Sequence, residues 1–206
     1  MKYWIITFGC QMNKSDSERI ATVLEKTGYE PASNINEADL VLVNVCSVRQ
    51  SAVDRVYGLI PKLKMQNVKC KTILTGCILK KDRKKLAEKF DLIFKIKDLP
   101  KLPKFLNSGP PLKINDYLEI QPKYSISGLV PIMTGCNNFC AYCVVPYVRG
   151  REVSRPAEEI ICEVKNLIKR GAKEIWLLGQ NVNNYKGLLK TKLTPNSSDR
   201  LNWESV

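Results

Sequence analysis

Apolar residues in this chain come in short runs separated by stretches of helical periodicity. Lys2 to Phe8 is one such run and predicts a strand, and beyond Cys10 the residues Ile20, Val23 and Leu24 fall at helical spacing, predicting a helix from about Ser15 to Thr27. Leu40 to Val45 (LVLVNV) predicts a buried strand. Cys46 follows it, then a helix from about Arg49 to Lys64 with Val53, Val56, Tyr57, Ile60 and Leu63 on one side. Thr72 to Thr75 predicts the next strand, ahead of Cys77 and a basic helix from Lys80 to Lys89, and Leu92 to Phe94 closes the set. Strands alternating with helices predict a parallel sheet covered on both faces, a flavodoxin-like or Rossmann-like α/β layout.

From about Phe105 to Gly128 the pattern breaks, with Asn107-Ser108-Gly109-Pro110-Pro111 marking a connection. A second unit then opens. Leu129 to Met133 predicts its first strand, and a helix is expected from about Pro156 to Arg170, with proline at its start and Gly171 past its end. Glu174 to Leu178 predicts a second strand leading into Gly179-Gln180-Asn181. A βαβ start of this kind is how a (β/α) barrel begins. The expected organisation is a domain over residues 1–106, a linker over 107–128, an incomplete (β/α) barrel over 129–190 and a polar tail over 191–206.

Chemistry enters with the eight cysteines. Cys136, Cys140 and Cys143 follow a C-x3-C-x2-C spacing, and such a trio of thiolates suits an iron-sulfur cluster with one iron left open to a small molecule. The alternatives are a zinc knuckle, a disulfide with a spare thiol, or a chance cluster. A structural zinc site wants four closed ligands, and the chain contains no histidine. Cys10, Cys46 and Cys77 each lie one or two residues past the carboxyl end of a predicted strand, in IITFGC, VLVNVC and ILTGC. Ligands collect beyond those ends in open parallel sheets, so the three predict a second thiolate site, the alternative being small residues that simply pack well there. Cys70 and Cys162 fit neither trio.

Composition narrows the class. The chain has 206 residues, 44% hydrophobic and 26% charged, which is ordinary globular usage. No apolar run reaches the length of a membrane span, and the first residues lack a signal-peptide shape, so no membrane partner is expected. Cysteines with ligand-like spacing point to a reducing, cytoplasmic setting. The formal net charge of +13 is concentrated: residues 61 to 104 carry 14 basic and 4 acidic side chains, whereas residues 1 to 60 carry 6 and 7. A localised basic face suits a phosphate backbone, or else is a solvated lysine-rich helix.

The motifs FGCQMN at residues 8 to 13, CNNFCAYCVVPYVRGREVSRP at 136 to 156 and LLGQNV at 177 to 182 resemble the radical S-adenosylmethionine methylthiotransferases. Within that family they look like the branch that modifies isopentenyladenosine beside the anticodon of tRNA. The ribosomal-protein and threonylcarbamoyladenosine branches look different at the first cysteine. The resemblance implies two 4Fe-4S clusters, one on Cys136, Cys140 and Cys143 that binds S-adenosyl-L-methionine, and an auxiliary one on Cys10, Cys46 and Cys77. It also implies an electron donor, a tRNA anticodon stem-loop as substrate, and cofactor contacts from Tyr142, Gly179, Gln180 and Asn181. Ordinary packing for Tyr142 and a plain turn for the other three are the competing readings. Arg149, Arg151 and Arg155 suit phosphate or carboxylate contacts, with a surface role expected for at least one. Lys80, Lys81, Arg83, Lys84 and Lys85 would either steer tRNA or keep a helix soluble.

The stretch after Leu129 is far shorter than the ~250 residues of a full eight-unit barrel, so about two βα units of the family's smaller barrel are expected, and a truncated chain. Two function classes follow. One is a methylthiotransferase, with the sister branches as variants; the other is an inactive iron-sulfur or nucleic-acid-binding module.

Overall fold

The computed structural model describes residues 1–66, 70–113 and 126–187. The expected polar tail over 191–206 lies outside them. The first unit is built from β1 (Lys2–Phe8), α1 (Gln11–Lys26), the short β2 (Glu30–Pro31), β3 (Leu40–Cys46), α2 (Gln50–Gln66), β4 (Lys71–Cys77), α3 (Lys80–Leu86), β5 (Leu92–Ile93) and α4 (Leu102–Phe105). Its five strands are all parallel, in the order β2-β1-β3-β4-β5. That order is the flavodoxin-like one, with its switch point between β1 and β3.

Alternation along the strands explains the two faces. Leu40 and Leu42 of β3 join Ile20, Val23 and Leu24 of α1 and Leu99 and Leu102 in one core. Val41, Val43 and Val45 point the other way, onto Val56, Ile60 and Leu63 of α2 and Leu86 of α3. Such a strand is buried on both sides, which is why it reads as a continuous apolar run. Tyr57 departs from the predicted helix face: it is 38% exposed, whereas Val53, Val56, Ile60 and Leu63 are buried.

The second unit contains β6 (Ser127–Pro131), β7 (Met133–Thr134), α5 (Val145–Val148), β8 (Val153–Ser154), α6 (Ala157–Lys169) and β9 (Glu174–Leu178). β6 and β9 pair in parallel, and β7 and β8 pair antiparallel. Val130, Ile132, Ile160 and Leu167 form the core between α6 and this pair. Helix α1 serves both units: Ser15 Oγ donates to the Leu129 carbonyl at 3.0 Å, and Met12 packs with Leu129 and Leu178. Among the described residues no helix is long and apolar enough to cross a membrane.

Candidate metal centre

The carboxyl edge of the first sheet carries Cys10, Cys46 and Cys77 on three adjacent strands. Cys46 and Cys77 are the last residues of β3 and β4 and are direct lateral partners; Cys10 follows β1 and caps the start of α1. The sequence placed all three just past their strands, whereas two still belong to the ladder. Beneath them lies a buried amide network. Asn13 donates to Asn44 Oδ1 at 2.9 Å, Asn44 donates to the Asn13 carbonyl at 2.8 Å and to Ser17 Oγ at 2.9 Å, and the Cys10 thiol donates to Asn13 Oδ1 at 3.3 Å.

Electrostatics at this edge favour thiolate at Cys46. Cys46 is pushed down to about 6, chiefly because Cys77 donates its S–H to it, with the Val48 backbone, Arg149 and Arg49 adding to the effect against burial. Cys77, as that donor and as a buried group, is held well above the ordinary thiol range. Arg149 Nε donates to Cys77 Sγ at 3.0 Å, and its Nη2 donates to Asp16 at 2.7 Å, with both side chains almost fully buried. A donor set of thiolates flanked by arginine fits an anionic iron-sulfur cluster. Among the described residues no three histidine, cysteine or carboxylate side chains converge closely enough to grip a single metal ion.

The second trio lies on one loop between β7 and α5. Cys136 is buried, Cys143 is half-buried and Cys140 is exposed. Gly135 enters the loop at φ +75°, and a Cβ there would run into the Arg151 carbonyl, so this turn needs glycine. The Cys136 amide donates to the Gly150 carbonyl at 3.2 Å, and the Cys143 amide to the Cys140 carbonyl at 2.9 Å. Three thiols on eight residues, one of them exposed, are the ligand number of a cluster with one open iron.

Weaker candidates fall as follows. Tyr142 is 90% exposed on the open side of the loop, and the charge of Cys140 together with its hydrogen bond holds the phenol above its usual range. At Gly179 a Cβ would approach Met133 and Val182 to 2.8 and 2.9 Å, so close packing there asks for glycine. Gln180 and Asn181 follow, and the Asn181 carbonyl opens a 3-10 turn by accepting from the Asn184 amide at 3.0 Å. The arginines divide. Arg151 is exposed and lies 4.3 Å over the Phe139 ring, while Arg149 and Arg155 are buried on carboxylates. Cys162 is exposed and Cys70 half-buried, apart from both trios.

Sequence reasoning missed the ionic seam behind these sites. Glu163 of α6 accepts from Arg19 Nη2 on one oxygen and Arg155 Nη1 on the other, both at 2.6 Å, and all three side chains are buried. A lone acid inside an apolar helical stripe, and Asn44 inside LVLVNV, were the available signals.

Residues 2–95 match the family described as Uncharacterized protein family UPF0004, and residues 130–195 match the Radical SAM superfamily. Over 202 residues the chain is 43% identical to a tRNA-2-methylthio-N(6)-dimethylallyladenosine synthase of Dictyoglomus thermophilum, a match covering 89% of this chain and 46% of that protein. A protein of the same name from Carboxydothermus hydrogenoformans is 42% identical over 213 residues, covering 92% and 48%, and one from Clostridium beijerinckii is 41% identical over 207, covering 90% and 46%. The chain thus spans about half the length of the curated relatives it matches. A UPF0004 region is thus followed by a Radical SAM region in one chain, and along about nine-tenths of its length the chain is similar to proteins named as tRNA-2-methylthio-N(6)-dimethylallyladenosine synthases.

Proposed function

We propose that this chain carries the catalytic front of a tRNA methylthiotransferase that places a methylthio group on carbon 2 of an isopentenyladenosine beside the anticodon. The observation that carries the reading is the pair of cysteine trios. One sits at the carboxyl edge of a flavodoxin-like sheet and the other on the first loop of a radical SAM unit, with Arg149 of the second unit bonded to Cys77 of the first. The names of the relatives supply the substrate class.

In this reading Cys136, Cys140 and Cys143 hold one 4Fe-4S cluster and Cys10, Cys46 and Cys77 the other. Tyr142, Gly179, Gln180 and Asn181 border the S-adenosyl-L-methionine. When bound, these groups supply the one-electron chemistry and the sulfur that a carbon with no acidic proton requires. The protein's own part is positioning. Arg149 fixes Cys77 and lends positive charge to an anionic ligand set, and the Asn13–Asn44 network sets the height of Cys10 against Cys46. The partners are an electron donor and the tRNA anticodon stem-loop, the setting is cytoplasmic, and the working division is residues 1–106 and 129–190 joined by 107–128.

A second reading, an iron-sulfur and nucleic-acid-binding module without turnover, is one that the localised basic charge of residues 61 to 104 also suits. Anaerobic reconstitution followed by iron and sulfide analysis tests the trios. Two clusters are expected in the chain, with one lost in Cys10→Ala and the other in Cys136→Ala. Deoxyadenosine release from S-adenosylmethionine under reductant then decides between the readings. Release in the native chain and in Cys10→Ala, with methylthiolation of an isopentenyladenosine stem-loop lost in the latter, supports the transferase. Two loaded clusters with no release favours the module, and cleavage lost in Cys10→Ala overturns the division of labour.

A further inference from the structure

Beside Cys77 lies a cavity of about 220 Å³, walled on one side by Gly76 and Ile78 of the first sheet's edge and on the other by the segment Tyr147–Gly150. Five cations line it, Lys80, Arg83, Lys95, Lys97 and Arg149, and no carboxylate does. They are arranged in two layers. Arg149 is pinned by Asp16 and Cys77, and Arg83 by its bond to the Ile93 carbonyl at 3.0 Å, so these two are fixed at the wall. Lys80, Lys95 and Lys97 stand exposed around them. Asp98 borders the adjoining hollow, and pairs there with Lys101 at 3.0 Å.

An aromatic face completes the opening. Tyr147 lines the cavity yet is 72% exposed, and its ring is oriented by an edge contact with Phe139 at 5.8 Å between centroids and 89°. Phe139 belongs to the cysteine loop and carries Arg151 over its ring. Fixed cations with a free aromatic face are the parts of a seat for single-stranded nucleic acid: the cations take backbone phosphates and the ring stacks a base. A lysine-rich helix that only kept the protein soluble would spread its charge. Here Lys80 and Arg83 of α3 turn into the cavity, whereas Lys84 and Lys85 of the same helix do not line it.

We infer that this cavity binds a phosphodiester of single-stranded RNA, with Tyr147 stacking the adjacent base, and so holds an unpaired loop between the two cysteine trios. The inference rests on the RNA substrate of the proposed function and adds where that RNA is gripped.

The test compares two variants of equal charge in the full 206-residue chain. Lys80→Ala/Lys95→Ala/Lys97→Ala removes three cavity cations, and Lys84→Ala/Lys85→Ala/Lys89→Ala removes three exposed ones outside it. The probe is a fluorescent anticodon stem-loop RNA, titrated at several salt concentrations. The cavity variant is expected to weaken binding at least tenfold more than its control and to flatten the salt slope by about two, at ~0.7 for each phosphate no longer neutralised. Tyr147→Ala is expected to weaken binding about tenfold with the slope unchanged, because stacking releases no counterions. Equal losses in the two triple variants would overturn the inference. So would calorimetric binding of inorganic phosphate at this cavity that competes away no RNA, since the seat would then serve a free anion. Methylthiolation is scored in parallel: cavity-dependent binding without turnover removes the enzyme reading and leaves this one, and turnover unaffected by the cavity variant does the reverse.

Discussion

Glu163 neutralises two buried guanidinium groups with one carboxylate, one oxygen to each. Removing a single member of such a group strands the others without water, at a cost of about 3–5 kcal/mol. Glu163→Met is therefore expected to lower the unfolding free energy by that amount in urea titration. Arg19→Met combined with Glu163→Met should recover part of it, since one stranded cation is gone; a Glu163→Met chain as stable as the native one would show the seam to be energetically idle. Glu18, one residue before Arg19, behaves in the opposite sense. Burial, with a smaller contribution from Glu163, pushes its carboxyl up to about 6 despite the attraction of Arg19. A carboxyl whose folded pKa lies above its unfolded value binds its proton more tightly in the native state, so its favourable contribution is complete below the unfolded value and is lost as pH rises through 6. Glu18→Gln should accordingly be more stable than the native chain at about pH 7.5 and equal to it near pH 4. Denaturation midpoints at the two pH values check the sign.

At the scale of the element, β4 shows how backbone geometry sets the site. Gly76 sits immediately before Cys77 at φ +112°, where a Cβ would strike the Val45 carbonyl and come within 2.6 Å of Asn44 Oδ1. Gly76→Ala is expected to cost on the order of 1–3 kcal/mol in strain and to tilt Cys77 away from Cys46. Iron analysis should then find the sheet-edge trio depleted and the Cys136–Cys143 loop still loaded; full loading of both would mean the ladder tolerates the side chain. The strands themselves were legible. Lys2–Phe8 and Glu174–Leu178 have the bounds their apolar runs predict, and the spacing of strand-end cysteines foretold three neighbouring strand ends. The start of α1 was not. It begins at Gln11 rather than Ser15, because its first turns bury Asn13, Ser15, Asp16 and Ser17 in hydrogen bonds that leave no apolar period to count. The short β2, β7, β8, α4 and α5 escaped for a related reason: elements of two to four residues are held by their neighbours rather than by a pattern of their own.

Among the described residues, helix α1, two ion pairs and the Arg149–Cys77 bond join the units. α1 carries Asp16 and Arg19, and these meet Arg149 and Glu163 from the radical SAM region, so each unit contributes the counter-ion that the other buries. Arg149 is the more consequential, since the same guanidinium that docks on Asp16 also donates to Cys77. On the proposed assignment of Cys77 to a cluster, a cation hydrogen-bonded to it stabilises the more reduced, more negative state and raises the reduction potential. Arg149→Met is therefore expected to keep the iron content of the reconstituted chain while moving the potential of the sheet-edge cluster to more negative values in an electron-paramagnetic redox titration. Arg151→Met, which removes an exposed cation from the neighbouring loop, should leave it in place. A potential unchanged by Arg149→Met would mean that the docking of the two units and the electronics of the sheet-edge site are independent. A shift confined to that variant would mean that the contact closing the molecule also sets how readily its auxiliary centre accepts an electron.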